Sequence, residues 1–260
     1  MLIKMMSNRN LMRRCAMALL LLLPAFAHAQ APAGEAETEL LFREVRVLDT
    51  VRGTLGAPTD VLVRGNRIAA IGDSARPSAS ARMIEGRGRT LMPGLIDAHW
   101  HSTFTALSHA DMTAPDASPE KLAATVATES ARTLMRGFTS VRDAGGPIFE
   151  LKAAIDAGKV PGPRIWPSGA FVSQTSGHGD LRQPHERSRR LFGKPSMAEE
   201  MGATFIADGR DEVLTAVREN LRMGASQIKL MAGGGTSSAY DPVDVTQYTF
   251  DEMRAAVEAA

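Results

Sequence analysis

From Leu40 the chain alternates apolar and polar side chains (LFREVRVLD), the two-residue period of a half-buried strand. Asp60–Arg64 and Arg67–Ile71 repeat that period on either side of Gly65-Asn66, which predicts a hairpin with a two-residue turn. A short strand is expected around Arg82–Glu85, before the glycine-rich EGRGR stretch. Residues 40–90 therefore read as a small all-β unit. After Thr90 the rhythm changes to strands alternating with helices. LMPGLID opens the first repeat, and a helix follows with Ser118 as N-cap, Pro119 at its first position and Gly137 as its stop. Its inner face is expected at Ala123, Ala127, Ala131 and Leu134. Then come a strand over Phe138–Arg142, a helix near Ile148–Ala157, a strand over Arg164–Ser168 and a helix over Arg210–Met223. A strand over Gln227–Met231 precedes a helix whose start, Thr249 to Glu252, has the spacing of a capping box. Four successive βα units over 91–260 predict an α/β protein with a parallel sheet, either doubly wound or part of a (β/α)8 barrel.

The first 29 residues follow neither pattern. Lys4, Arg9, Arg13 and Arg14 precede an apolar run from Ala16 to Phe26, and Ala27-His28-Ala29 closes it with small residues at the outer positions. This is the three-part layout of a cleaved secretory signal peptide, with an apolar run too short to span a bilayer comfortably. Residues 30–39 then form a polar linker. Cleavage removes four positive charges and no negative one, taking the formal net charge from +1 to −3, and it removes Cys15, the single cysteine. The expected product is an exported, periplasmic or secreted chain with no membrane attachment, compatible with an oxidising compartment. Lys+Arg at 30 against Asp+Glu at 29 gives no basic surface for nucleic acid, and one cysteine excludes a disulfide framework and a Cys-based zinc site. No P-loop, dinucleotide fingerprint or serine-hydrolase elbow is present.

Chemistry concentrates at the predicted strand ends. His99 and His101 are two residues apart at the end of PGLIDAHWH, so on a strand both imidazoles point to one side and can reach one ion. The carboxyl ends of parallel strands are where α/β active sites lie. Lys229 sits among apolar neighbours in QIKLM, where a strand buried on both sides would make a free ammonium costly. Arg142 and Asp143 read as structural, and His109 and His185 as surface residues. The basic cluster Arg187, Arg189, Arg190 and Lys194 reads as a solvated segment of an insertion covering the active-site face.

LMPGLIDAHWH resembles the first-strand signature of the amidohydrolase superfamily. FTSVRDAGG, SGHGD and IKLMAGGG are similar to its second-, third- and fourth-strand regions, and residues 40–90 to the start of its composite β-sandwich. The combination resembles the branch holding imidazolonepropionase-like proteins and metal-dependent Xaa-Pro dipeptidases, N-terminal portion only. The resemblance implies the first half of a (β/α)8 TIM-type barrel preceded by part of a β-sandwich. It also implies a site with two divalent metal ions, zinc foremost, held by His99, His101 and a CO2-carboxylated Lys229. His178 would be the catalytic residue that donates a hydrogen bond to the scissile carbonyl.

The implied reaction is hydrolysis of an amide or peptide bond in a small substrate (a dipeptide, N-acyl amino acid or cyclic amide) by metal-activated hydroxide. A deaminase is the rival within the superfamily, and a non-catalytic truncated product the rival outside it; the lysine favours the binuclear hydrolytic layout. A homo-oligomer is compatible with the sequence. The family site also takes one histidine from each of strands five and six and an aspartate after strand eight, and no histidine follows His185. The 260 residues are therefore expected to be a fragment or truncation of a protein of about 400–450 residues, given about 250 for such a barrel alone. Alone they are expected to be inactive and aggregation-prone, with the inward faces of Ile96, Val141 and Ile228 lacking the opposite half of their core.

Overall fold

The computed structural model describes residues 38–112, 118–238 and 240–260. The signal segment and nearly all of the 30–39 linker lie outside the described residues. The described chain forms two compact units that meet in sequence between Met92 and Pro93.

The first unit is a sheet of β1 (Glu39–Asp49), β2 (Thr54–Arg64), β3 (Arg67–Ile71), β4 (Arg82–Glu85) and β5 (Thr90–Leu91). The order is β3-β2-β1-β4, with β5 also on β1; β1-β2 and β2-β3 are antiparallel, while β4 and β5 run parallel to β1. The predicted hairpin is present, with Gly65 at φ +56° in the turn that joins β2 to β3. Strict alternation in β1 is interrupted. The register slips between Phe42 and Val45, and Glu44, at φ +50°, donates its amide to Asp60. Leu41 and Val45 are nevertheless both buried, Leu41 opposite Leu62 and Val45 opposite Thr59 of β2.

The second unit begins with β6 (Leu95–Trp100), α1 (Ser102–Ala106), α2 (His109–Met112) and α3 (Pro119–Met135). It continues through β7 (Phe138–Asp143), α4 (Phe149–Asp156), β8 (Arg164–Pro167) and β9 (Phe171–Ser173). Then follow α5 (Arg189–Phe192), α6 (Met197–Glu200), β10 (Thr204–Ile206), α7 (Arg210–Arg222) and α8 (Phe250–Ala259). Every ladder is parallel: β6-β7-β8 form one sheet, and β9 pairs with β10. The fourth predicted strand is reduced to a single parallel bridge, Leu230 to Val172. The glycine run that follows cannot extend the ladder, and Gly233 instead bridges Thr246. The short β10 has no counterpart among the predicted elements, since three residues are too few to display a period.

Local signals set the helix ends. Ser118 accepts from Lys121 N with Pro119 behind it, and Thr249 and Glu252 exchange both capping-box bonds. The face of α3 is not the expected one. Val126, Ser130 and Thr133 are buried and Leu122 packs on the core, whereas Ala123 is exposed. In an alanine-rich helix the bulky Leu122 and Val126 decide the buried stripe, and Thr133 is accommodated by donating its hydroxyl to Glu129 O at 2.9 Å.

The expected inward face also needs correction. Ile96 is 72% exposed, but Val141 is fully buried against Val126, Ile148 and Ile165, in the layer between sheet and helices. Ile228 and Leu230 are half-buried, packed on a second core of Val172, Val213, Val217 and Tyr248. The Lys229 segment is therefore covered on one side rather than on both.

Between β8 and β9 the chain turns at Gly169 (φ +75°), where a Cβ would come within 2.4 Å of Asn220 Oδ1. Asn220, fully buried in α7, accepts from Ala170 N and donates to Ala170 O, both at 3.0 Å, and so pins this bend. Asn220→Ala leaves both buried backbone groups without partners, at about 1–3 kcal/mol each. The expected result is a lower urea midpoint, with an unchanged denaturant slope, corresponding to about 2–4 kcal/mol. A change below about 0.5 kcal/mol, the size of an ordinary surface substitution, would contradict this role.

Candidate functional site

His99 lies at the carboxyl end of β6, and His101 caps the start of α1 just beyond it. Their ring centroids are 5.3 Å apart. The His101 Nδ1 faces the Gly145 carbonyl at 3.4 Å, and since a carbonyl can only accept, Nδ1 carries the proton and Nε2 keeps its lone pair. The His101 ring also meets Phe171 edge-on at 5.7 Å, and Phe104 stacks on Phe171 at 5.6 Å. This packing needs Gly145, at φ +145°, because a Cβ there would fall 1.7 Å from the Phe171 ring.

Asp143 fixes the geometry from below. It has no exposed surface and accepts from Ser102 N at 2.7 Å and Gly145 N at 3.1 Å, tying the end of β7 to the residue after His101. Burial pushes its carboxyl above the usual range, against those two amides and the His101 charge. Arg142 donates to Ala98 O at 2.5 Å. Both act on local structure, as their sequence context predicts.

Lys229 enters from the segment bridged to β9, its carbonyl accepting from Val172 N at 2.9 Å. It is half-buried, and its charge reaches His99. The His99 imidazole is held below its usual pKa first by burial, then by Lys229, His101 and Arg142, with Asp97 opposing. His99 and His101 thus lie together at the carboxyl end of β6, and Lys229, on the segment bridged to β9, is near enough for its charge to reach His99. Among the described residues no group of three or more His, Cys, Asp or Glu side chains is close enough to hold a metal. The donors here are two imidazoles and an amine, and the amine becomes an oxygen ligand only as a carbamate. A neutral imidazole pair with one Nδ1 anchored to a carbonyl fits a borderline ion such as zinc.

His178 belongs to a different part of the site. Its Nδ1 is 2.7 Å from Ser238 Oγ and 3.4 Å from Asp241 Oδ2, and its amide donates to Gln247 Oε1 at 2.9 Å. Its ring lies on Gly235, where a Cβ would come within 2.0 Å of Cε1. The link to the histidine pair runs through Gly179, which sits close to Phe171 and Met231. A cavity of about 440 Å3 is lined by Phe104, a neighbour of the His101 ring, and by Ser238, the partner of His178, with Met112, Leu181, Arg182 and Met197 among its walls; His99, His101, His178 and Lys229 do not line it.

Ser238, Asp241 and Gln247 escape sequence reasoning because they lie in a loop without periodicity. The one available signal was the GGG run, since glycines invite close approach by another group. His185 is exposed, and the side chain of His109 lies outside the described residues. The basic cluster is more engaged than a solvated segment: Arg190 donates to Asp208 O at 2.9 Å, and Arg187 covers the Phe192 ring at 4.4 Å. Among the described residues no helix is long and apolar enough to cross a membrane.

The chain is 36% identical over 201 residues to ochratoxinase of Aspergillus niger, covering 74% of this chain and 42% of that protein. It is 28% identical over 202 residues to an adenine deaminase of Deinococcus deserti, covering 74% and 33%. Among solved structures it is similar to a prolidase complexed with N-methylphosphonate-L-proline, at 38% identity and a TM-score of 0.74, covering 86% of this chain and 53% of that one. A Xaa-Pro dipeptidase with methionine bound in its active site matches at 28% identity and a TM-score of 0.69, covering 85% and 54%. The chain thus spans about a third to a half of the length of these proteins, and strands precede the barrel-like part. The amidohydrolase family profile matches residues 90–260, and the chain belongs to that family.

Proposed function

We propose that the full-length protein is an exported, metal-dependent hydrolase of amide or peptide bonds in small substrates: a dipeptide, an N-acyl amino acid or a cyclic amide. What supports this reading is the His99–His101 pair at the end of β6, ring centroids 5.3 Å apart, with the Lys229 charge reaching His99. In an amidohydrolase that set suits two divalent ions, zinc foremost, with Lys229 contributing as its carbamate. When bound, such ions supply an acidified water and polarise the scissile carbonyl.

The residues of this chain have separate tasks. His99 and His101 present imidazole nitrogens, and the Gly145 carbonyl and the Phe171 ring hold His101 in orientation. Phe104 and Phe171 limit water access on that side, which strengthens every charge interaction near the reacting carbonyl. His178 donates a hydrogen bond to the carbonyl oxygen as negative charge develops there. The neighbouring cavity, walled by Phe104, Met112, Leu181 and Met197, accepts an apolar part of the substrate. Ochratoxinase and the prolidase-like structures support amide hydrolysis. The lysine supports it over deamination, for which the adenine deaminase likeness is the weaker match.

Two measurements test this reading. In the full-length enzyme, Lys229→Ala should lower metal content from about two ions to one or none and abolish hydrolysis across a dipeptide and N-acyl amino acid panel, with partial rescue by short carboxylates. Unchanged metal stoichiometry would overturn the carbamate assignment. Export rests on the charged start, the apolar run and Ala27-His28-Ala29. Mass spectrometry of exported protein should find an N-terminus at or near Gln30, and an intact Met1 would refute cleavage.

A further inference from the structure

We propose that Ser238 and Asp241 are positioning residues that hold His178 in the Nδ1–H form and leave Nε2 as the nitrogen offered to substrate. The proposal rests on the hydrolytic reading above only for its purpose; the network itself is read from the structure.

Asp241 is buried, 8% exposed as a residue and with no exposed side-chain surface. Its Oδ2 accepts from Gly235 N at 2.8 Å and from Gln247 Nε2 at 3.2 Å, and its Oδ1 accepts from the Ser238 hydroxyl. Burial alone would push this carboxyl up, but the Ser238 hydroxyl, the Gly235 amide and the His178 charge hold it below the usual range, so it is ionised and can only accept. The single Ser238 proton therefore goes to Asp241; the competing Gly235 carbonyl is farther, at 3.4 Å. What Ser238 Oγ turns toward His178 at 2.7 Å is a lone pair, so the proton between them belongs to Nδ1.

Gln247, 1% exposed, closes the ring by accepting from the His178 amide while donating to Asp241. Gly235 supplies the floor on which the imidazole lies. His178 is thus fixed through its backbone, its ring face and Nδ1, and its side chain remains 25% exposed.

The arrangement has a chemical consequence. A neutral His178 has a lone pair at Nε2 and would accept there. It donates to a carbonyl oxygen only as imidazolium, with Nδ1–H still facing Ser238 Oγ. The donor aimed at the substrate carbonyl is then a charged one, stronger than a neutral N–H.

The test is made on the full-length, zinc-loaded enzyme with 15N-labelled histidine, the His178 signals being identified by their loss in His178→Ala. In the unsubstituted protein the neutral ring should show a protonated Nδ1 and an unprotonated Nε2. Ser238→Ala should release the ring to the other tautomer or to a mixture and lower kcat about 10- to 100-fold, the range that small misplacements of a reacting group produce. KM and zinc content should stay nearly unchanged. Ser238→Thr, which keeps the hydroxyl, should restore most of both readouts. Asp241→Asn should act in the same direction as Ser238→Ala, and Ser238→Ala guards against misfolding because it leaves the Gly235 and Gln247 bonds to Asp241 in place.

An Nε2–H tautomer in the unsubstituted protein would overturn the proposal whatever the kinetics. So would unaltered kcat in Ser238→Ala while His178→Ala is inactive. Full turnover by His178→Ala would instead overturn the role given to His178 in hydrolysis, a failure of the functional reading distinguishable from failure of the network.

Discussion

Val172 has no exposed surface, and both of its backbone hydrogen-bonding groups are committed to one segment: its amide donates to Lys229 O and its carbonyl accepts from Met231 N, each at 2.9 Å. On its other side β9 pairs in parallel with β10. The rest of the site depends on this clamp. It sets the height at which Lys229 leaves the sheet, and hence its reach toward His99. It places Met231 beside Gly179, next to His178, and Phe171 beneath His101. A one-residue slip would turn Lys229 to the opposite face, because strand side chains alternate. Burial of Val172, Val213, Val217 and Tyr248 in one cluster makes such a slip expensive, since it would exchange apolar side chains for a lysine in that core.

Around this clamp the polar groups are arranged in two closed sets. Asp143 joins the end of β7 to the start of α1 through Ser102 and Gly145, so that the two histidines and the Gly145 carbonyl keep fixed relative positions. Asp241 does the corresponding work for His178 through Ser238, Gly235 and Gln247. Both carboxylates are buried, and both are satisfied by backbone amides and hydroxyls, which makes them tolerable inside the fold. They differ in protonation bias. Burial wins at Asp143 and raises its pKa, whereas the donors win at Asp241.

Much of this was legible in the chain itself. The period-two runs and the Gly65-Asn66 turn mark the first unit, and helix caps at Ser118 and Thr249 mark α3 and α8. The H-x-H pair on a strand end places His99 and His101 together without further information. Other features were hidden for physical reasons. In α3 the alanine periodicity pointed to Ala123, while the volume of Leu122 and Val126 decided the buried face. Val141 looked like an inward residue because a parallel strand is apolar on both faces, so pattern alone cannot tell the helix side from the barrel side. The Ser238–Asp241–Gln247 set has no period at all, and its partners are 60 to 69 residues from His178 in sequence.

In the proposed function, His99, His101 and Lys229 form one metal-binding set. The most direct measurement is anomalous diffraction at the zinc edge from crystals of the full-length protein grown with zinc and bicarbonate. The account predicts anomalous peaks within coordination distance of both imidazoles and of extra density extending from Lys229 Nζ as a carbamate, with zinc–nitrogen distances of about 2.0–2.1 Å. An unmodified Lys229 amine with no peak between it and the two histidines would contradict it.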